Sequence, residues 1–299
     1  MKLSVIGKTG QLARALITRG AELGYDITAY DRRACDLCVA EAEISQFIDS
    51  LDTDGVIIAA AYTAVDRAED DYDMAVRVNA AAPKAIADSC AKRALPLIHI
   101  STDYVFNGQS QIPYGIDHPT DPINAYGRTK LAGETAVISS GAKAAILRTS
   151  WVYDGQGKNF LTTMLRRAQT HEHLNIVADQ IGRPTYAGDL ADAALKTIRK
   201  IASGDESAQG IFHVSGTGAA ISWADFATAI FDRAADQLPH KMTVSPIPAT
   251  AYPTPAQRPA FSVLDTSHFE RIVYPLPDWQ TGLEQAYDEW ERTQLLSPK

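Results

Sequence analysis

The chain opens on a short apolar run, Lys2-Leu3-Ser4-Val5-Ile6, and passes through Gly7-Lys8-Thr9-Gly10-Gln11-Leu12-Ala13 into an amphipathic helical pattern that stops at Gly24. That unit then recurs. Apolar, β-branched runs at 27–30, 55–60, 95–100 and 144–149 are separated by stretches with helical spacing of their apolar residues. Strands of this length alternating with helices constrain the chain strongly. Parallel pairing needs a crossover between successive strands, and the crossover helix covers one face of the sheet. The expected fold class is α/β, a doubly wound parallel sheet.

The first turn adds chemistry to that frame. A glycine loop between strand and helix lets backbone amides approach a pyrophosphate at the helix N-terminus. Gly7 permits the tight turn, Gly10 the close approach, and Ala13 the close packing of helix on strand. The next strand ends at Asp31, 21 positions after Gly10 (31 − 10), where a dinucleotide fingerprint wants an acid for the ribose hydroxyls. Arg32 and Arg33 follow and suit a 2′-phosphate instead, so NADH and NADPH both remain open. Asp36-Leu37 opens the next loop, a place where an adenine edge is met. After the strand at 55–60, small residues around Ala61-Tyr62-Thr63 would let backbone reach the cofactor. A plain βα turn and a capping Asp31 are the purely structural alternatives.

A second block sits past the middle strand. Ile100-Ser101-Thr102-Asp103-Tyr104-Val105-Phe106 ends a buried strand, and after a turn-rich segment Tyr126-Gly127-Arg128-Thr129-Lys130 opens a helical pattern. Tyr126 and Lys130 are four apart and share a helix face. An ammonium beside a phenol favours the phenolate and is expected to lower the Tyr126 pKa. A hydroxyl, a tunable phenol and a fixed cation are what a carbonyl needs when it takes up a hydride and then a proton. Alone, the pair reads as a surface stacking contact rather than a catalytic couple; the glycine loop gives the catalytic reading its weight.

Composition excludes several classes. The 299 residues carry a formal charge of −8, which argues against a nucleic-acid binder. No apolar run approaches the ~20 residues that span a bilayer, and no signal-peptide pattern follows Met1. The three cysteines, Cys35, Cys38 and Cys90, suit neither a disulfide framework nor a zinc site, so the expected compartment is the cytoplasm. His99 lies within a strand and is expected to be a satisfied core histidine. The expected division is a dinucleotide-binding domain at 1–150 plus about 174–205. A smaller α/β substrate-binding domain is expected at about 151–173 and 206–299.

The glycine loop, Thr102 and the Tyr126/Lys130 pair resemble the extended short-chain dehydrogenase/reductase superfamily, with its Rossmann-like sheet. More narrowly, five blocks resemble the dTDP-4-dehydrorhamnose reductase family: Gly7-Lys-Thr-Gly-Gln11, Ala59-Ala-Ala-Tyr-Thr-Ala-Val-Asp66, Ser101-Thr-Asp-Tyr-Val-Phe106, Tyr126-Gly-Arg-Thr-Lys-Leu-Ala-Gly-Glu134 and Arg148-Thr-Ser-Trp-Val-Tyr153. Asp179-Gln180, Pro184-Thr185 and Tyr252-Pro-Thr-Pro-Ala-Gln-Arg-Pro259 carry the similarity almost to the end. The resemblance implies reduction of a 4-keto sugar nucleotide, with Tyr126 as proton donor, Lys130 holding the nicotinamide ribose and Thr102 bonding the carbonyl or phenol. It implies a cofactor, NADPH or NADH, lined by Gly7, Thr9, Gly10, Gln11, Leu12, Asp31, Arg32, Asp36, Leu37, Ala61, Tyr62 and Thr63, with Tyr126 and Lys130. Asp103 and Trp151 would flank the sugar. Arg258, Asn159 and Arg183 are the candidates for its diphosphate, because a guanidinium fork suits phosphate.

Sister functions on the same scaffold are a sugar-nucleotide epimerase or dehydratase, and a non-catalytic NADP-binding regulatory subunit. Some relatives form a magnesium-bridged dimer through glutamates, one of them in the helix after the glycine loop. Here that turn reads Ala13-Arg14-Ala15, so no metal requirement is expected, and the expected state is a monomer or weak homodimer. The implied partner is a small molecule, with neither nucleic acid nor membrane.

Overall fold

A computed structural model describes residues 1–296. Six strands form one wholly parallel sheet: β1 (Lys2–Ile6), β2 (Asp26–Tyr30), β3 (Gly55–Ile58), β4 (Leu97–Thr102), β5 (Ala144–Thr149) and, after four short strands, β10 (Gly210–His213). The sheet order is β10-β5-β4-β3-β1-β2. Between β1 and β3 the winding reverses, and the loops leaving those two strands frame a crevice. Ligands of doubly wound sheets bind in that crevice.

Continuous apolar runs make sense in such a sheet because both faces are covered. Alternate residues divide between two cores. Leu3, Val5, Ile57, Ile98 and Leu147 face one core with Leu12 and Leu16 of α1 (Gln11–Glu22). Ile6, Val56, Ile58, Leu97 and Ile146 face the other with Ile44 and Ile48 of α2 (Glu41–Asp49). The helical stretch between β3 and β4 is interrupted. α3 (Tyr72–Val76) passes through a π turn (Arg77–Ala81) into α4 (Ala82–Lys92), and Ile86 and Cys90 of α4 join the second core. The following helix, α5 (Ala125–Ser139), adds Val137 to that core.

On the far side of the strand ends, β6 (Val152–Tyr153), α6 (Phe160–Arg167), β7 (His173–Val177), β8 (Ile181–Gly182) and β9 (Thr185–Tyr186) precede α7 (Ala187–Ala202). After β10 come β11 (Ile221–Ser222), α8 (Trp223–Arg233), β12 (Thr243–Ile247), α9 (Ser267–Ile272) and α10 (Trp279–Leu296). Here the sheets have two strands each: β7 with β12, β6 with β9, and β11 with β8. A third core of Tyr153, Leu161, Leu165, Phe226, Trp279 and Tyr287 holds this side together.

The expected partition differs from this pairing at four strands; β8 and β9, expected with the dinucleotide domain, pair with β11 and β6 of the other side. β10, expected on the substrate side, is the edge of the large sheet beside β5, with Gly210 opposite Ala145 and His213 opposite Arg148. β7, expected with the dinucleotide domain, pairs with β12 instead. Short apolar strands carry no local mark of their partners, because pairing is decided by what lies beside them in space. Among the described residues no helix is long and apolar enough to cross a membrane.

Candidate active site

The glycine loop, the 59–66 block and the blocks that follow β4 and β5 leave the same edge of the sheet. β1 ends in Gly7, whose φ of 116° suits glycine alone; a Cβ there would stand 3.0 Å from the Ala60 amide nitrogen. β3 ends next to it, and the Ala59 and Ala60 amides donate to the Ile6 carbonyl at 2.9 and 2.8 Å. The glycine loop and the 59–63 loop therefore form one wall. Gly10 caps α1 without any side-chain hydrogen bond to the helix amides, and a Cβ built on it meets nothing within 4 Å. Open space in front of free helical N–H groups is the cradle a pyrophosphate fills, so these residues fit a dinucleotide. Gln11, Leu12 and Thr9 flank the cradle. Arg14 straps it from below, donating to the Thr9 carbonyl and pairing with Asp154 at 2.5 Å.

Asp31 stands at the end of β2 as expected. Its Oδ1 accepts the Arg33 and Ala34 amides at 2.9 and 3.2 Å, which leaves Oδ2 for a ribose hydroxyl. Arg32 is exposed and held loosely by Asp36 at 3.3 Å. Asp36 also accepts the Cys38 amide, and Leu37 is buried beneath it.

Tyr62 is fixed by a residue that the spacing left without a role. Asn79, fully buried on the π turn, accepts the Tyr62 amide at 2.8 Å and donates to the Tyr62 carbonyl at 3.1 Å and to Thr129 at 3.0 Å. Inserting the extra residue of a π turn is a recurrent way to aim one side chain out of helical register. A single Asn in a helical pattern gives no such signal.

The catalytic candidates converge at the end of β4 and the start of α5. Asn124 caps α5 by accepting the Gly127 amide at 2.8 Å. Gly127 has no Cβ, which would fall 2.1 Å from the Tyr104 carbonyl, so α5 sits directly against the end of β4. Thr102 faces the Tyr126 phenol, and the Tyr126 ring meets Tyr104 edge-on at 5.6 Å. Tyr62 and Tyr126 pack on the same small cluster of Ala68, Ala75 and Ala125, which brings the phenol to the cofactor-side wall. Lys130 is 2% exposed and donates from Nζ to the Ile100 carbonyl at 2.6 Å. Behind it Glu134 holds Arg148 through two bonds, of 2.9 and 2.7 Å, and accepts from Ser101.

The electrostatics correct one expectation. Burial pushes the Tyr126 phenol up to about 12; the Thr102 hydroxyl lowers it and the Asp103 charge raises it. Lys130 does not bring it down. Burial instead lowers the Lys130 ammonium to about 8, opposed by Glu134, and its hydrogen bond runs to a backbone carbonyl. Removal from water outweighs the cation's pull. Asp103, also buried, is raised to about 7 by burial, with Thr102 and Ser262 acting the other way. His99 is buried as expected but not satisfied. Neither ring nitrogen has a hydrogen-bond partner, and burial with the Lys130 charge holds its pKa well below the usual value.

A cleft of about 790 Å³ opens beside Tyr104. Phe160, Thr163 and Arg167 of α6, Trp223 of α8, and the 252–258 loop line it. Arg258 is among the lining residues, but its guanidinium grips Asp66 through two bonds, of 3.1 and 2.9 Å. Asn159 does not fit its expected role. Its carbonyl oxygen caps α6, and its amide donates to the Asp154 backbone, the Asp154 carboxylate and the Gln156 carbonyl, at 2.9, 2.7 and 3.0 Å. An Asn just before a helix is a preferred N-cap, and that local use wins here. Trp151 takes a left-handed backbone (φ 49°) and stacks on Trp223 at 3.6 Å, so Trp223 rather than Trp151 lines the large cleft. Arg183 is half-buried and donates to the Leu264 carbonyl, away from that cleft. Arg167, with no acidic partner among the described residues, was not legible. A cation in the last turn of a helix ordinarily serves the helix dipole.

The family model described as "RmlD substrate binding domain" matches residues 1–292. A dTDP-4-dehydrorhamnose reductase of Sinorhizobium fredii is 43% identical over 94% of this chain and 94% of its own length. The Escherichia coli dTDP-4-dehydrorhamnose reductase is 39% identical over 97% of this chain and 98% of its own. Among solved structures, the Bacillus anthracis dTDP-4-dehydrorhamnose reductase in complex with NADP superposes with a TM-score of 0.89 at 34% identity, covering 96% of this chain and 99% of that one. A glycine cradle, a Thr-Tyr-Lys constellation and full-length similarity of this order agree, and the chain belongs to the dTDP-4-dehydrorhamnose reductase family.

Proposed function

We propose that this enzyme reduces the C4 ketone of dTDP-4-dehydro-β-L-rhamnose to give dTDP-β-L-rhamnose, using NADPH or NADH. The observation that carries this reading is the convergence of Thr102, Tyr126 and Lys130 between the glycine cradle and the 790 Å³ cleft. The glycine cradle would hold the pyrophosphate of the reduced dinucleotide, whose nicotinamide would supply the hydride. Tyr126 gives its proton to the C4 oxygen as that oxygen becomes an alkoxide. A phenol held near 12 is protonated at neutral pH, and an alkoxide is far more basic than a phenolate, so the raised value suits a donor in the reductive direction. Thr102 bonds the ketone or the phenol. Lys130, beneath them, supports the phenolate left after transfer and is placed to reach a ribose hydroxyl.

Arg258 and Arg167 hold the diphosphate from opposite sides of the cleft, with Arg258 exchanging Asp66 for phosphate. Tyr104, which lines the cleft, flanks the sugar, and Asp103 is buried behind it. The free oxygen of Asp31 accepts from the adenosine ribose, and exposed Arg32 tolerates a 2′-phosphate, so both cofactors serve. Mixing protein, NADPH and the 4-keto sugar nucleotide tests this directly. Loss of NADPH absorbance with a single 4-hydroxy product is expected. Firm NADPH binding without oxidation would overturn the substrate assignment, and conversion with no net cofactor use would mark an epimerase.

A further inference from the structure

Thr102 has one proton and can send it to one acceptor at a time. Its Oγ1 lies 2.9 Å from Asp103 Oδ1. One lone pair of Oγ1 already accepts the Tyr104 amide at 3.2 Å. If Asp103 is a carboxylate, it takes the Thr102 proton. Oγ1 then keeps only a lone pair for the Tyr126 phenol, which pulls the phenol proton away from a ketone. If Asp103 is a neutral acid, its own O–H fills that lone pair and the Thr102 proton is released toward the phenol oxygen.

We propose that Asp103 is the positioning residue that sets the direction of the Thr102 hydroxyl: as a neutral acid it donates to Oγ1 and aims the Thr102 proton at the Tyr126 oxygen, and as a carboxylate it withdraws that proton. The inference rests on the reduction proposed above. Two features favour the acid form in the resting protein. Asp103 is 2% exposed, and its Oδ2 has no hydrogen-bond partner among the described residues, so an ionised group there would be both buried and half-unsatisfied. No lysine or arginine forms an ion pair with it among the described residues. The groups around it are Thr102 and Tyr104 on its own segment, Tyr126 from α5, and Ser262 from the C-terminal segment. Arg258 and Asp66 act on Tyr104 from the cleft side, and Lys130 points its ammonium at the Ile100 carbonyl. Burial raises Asp103 to about 7, which puts the exchange inside the range of an assay.

Carboxyl-carbon NMR of the aspartate-labelled, NADP-bound enzyme tests the exchange without turnover. The resonance missing from Asp103→Asn is expected to titrate near 7 in the wild type. Thr102→Val, which removes the donor to the carboxylate, is expected to move it higher. In steady-state kinetics, the high-pH fall of kcat is expected to begin near 7 in the wild type. In Asp103→Asn, whose amide does not titrate, it moves to the Lys130 midpoint near 8. A carboxyl that titrates in the ordinary range near 4, or an Asp103→Asn profile that keeps the wild-type limb, overturns the proposal. Should the keto sugar fail as a substrate, the titrations of wild type and Thr102→Val still decide the exchange, so the two failures are told apart.

Discussion

The two sides of the molecule are held together by different means. On the nucleotide side, six strands pair in one parallel sheet and the candidate residues sit in the loops past strand ends or on α5, which packs against the end of β4, so backbone pairing and two apolar cores fix the site. Across the cleft each sheet has two strands, and side chains do the joining. Arg14 pairs with Asp154, Asn159 and Ser222 close capping boxes on α6 and α8, Trp151 stacks on Trp223, and Asp66 grips Arg258. A site fixed by sheet geometry resists rearrangement, because moving one residue moves a strand. One fixed by individual ion pairs can exchange partners when a ligand offers better ones. The reacting groups belong to the first kind and the phosphate-binding candidates to the second.

That contrast can be broken by experiment. Tyr126→Phe removes a proton donor and no packing, so kcat should fall by about 10²- to 10⁴-fold while the NADPH Kd stays within about twofold. Stopped-flow turnover with fluorescence titration of the cofactor checks both, and an equal loss in Kd would show that the phenol serves binding. Next in size is Glu134→Ala, which strands the buried Arg148 guanidinium behind Lys130. It should cost about 3–5 kcal/mol of stability in urea unfolding. A cost below about 1 kcal/mol would mean that this side is no more rigid than the other.

Arg258→Ala should give the opposite pattern: an increase in KM for the sugar nucleotide of about tenfold, with kcat and unfolding midpoint little changed, since its partner Asp66 is partly exposed and survives alone in water. A large stability loss would make the Asp66–Arg258 pair a structural strut. Smallest is Arg32→Ala, expected to raise KM for NADPH a few-fold and leave NADH unchanged, because an exposed guanidinium contributes only to a 2′-phosphate.

The pH dependence of stability follows from the same burial. Lys130 is depressed to about 8 in the folded chain against an ordinary value near 10.4. Folding therefore disfavours its charged form, and its unfavourable contribution is fully present below pH 8 and relieved as pH rises through about 8 to 10. Asp103 works in the other sense: raised to about 7, it favours the folded state at low pH and loses that contribution as pH rises from about 4 to 7. Urea midpoints of Lys130→Met and Asp103→Asn across this range should lose those two slopes separately.

Much of the nucleotide side was legible from local pattern alone. The alternation of apolar runs, the glycine turn, Asp31 at the end of a strand and the i,i+4 spacing of Tyr126 and Lys130 all act over a few residues, and a reading of a few residues recovers them. What only the tertiary structure decided involves groups far apart in the chain. β10 lies beside β5, Asn79 on the π turn reaches Tyr62, and Asp66 meets Arg258. The protonation of Tyr126, Lys130 and Asp103 belongs to this second group for the same reason. A charged group's cost depends on how much water the fold removes from around it, and spacing along the chain does not carry that quantity.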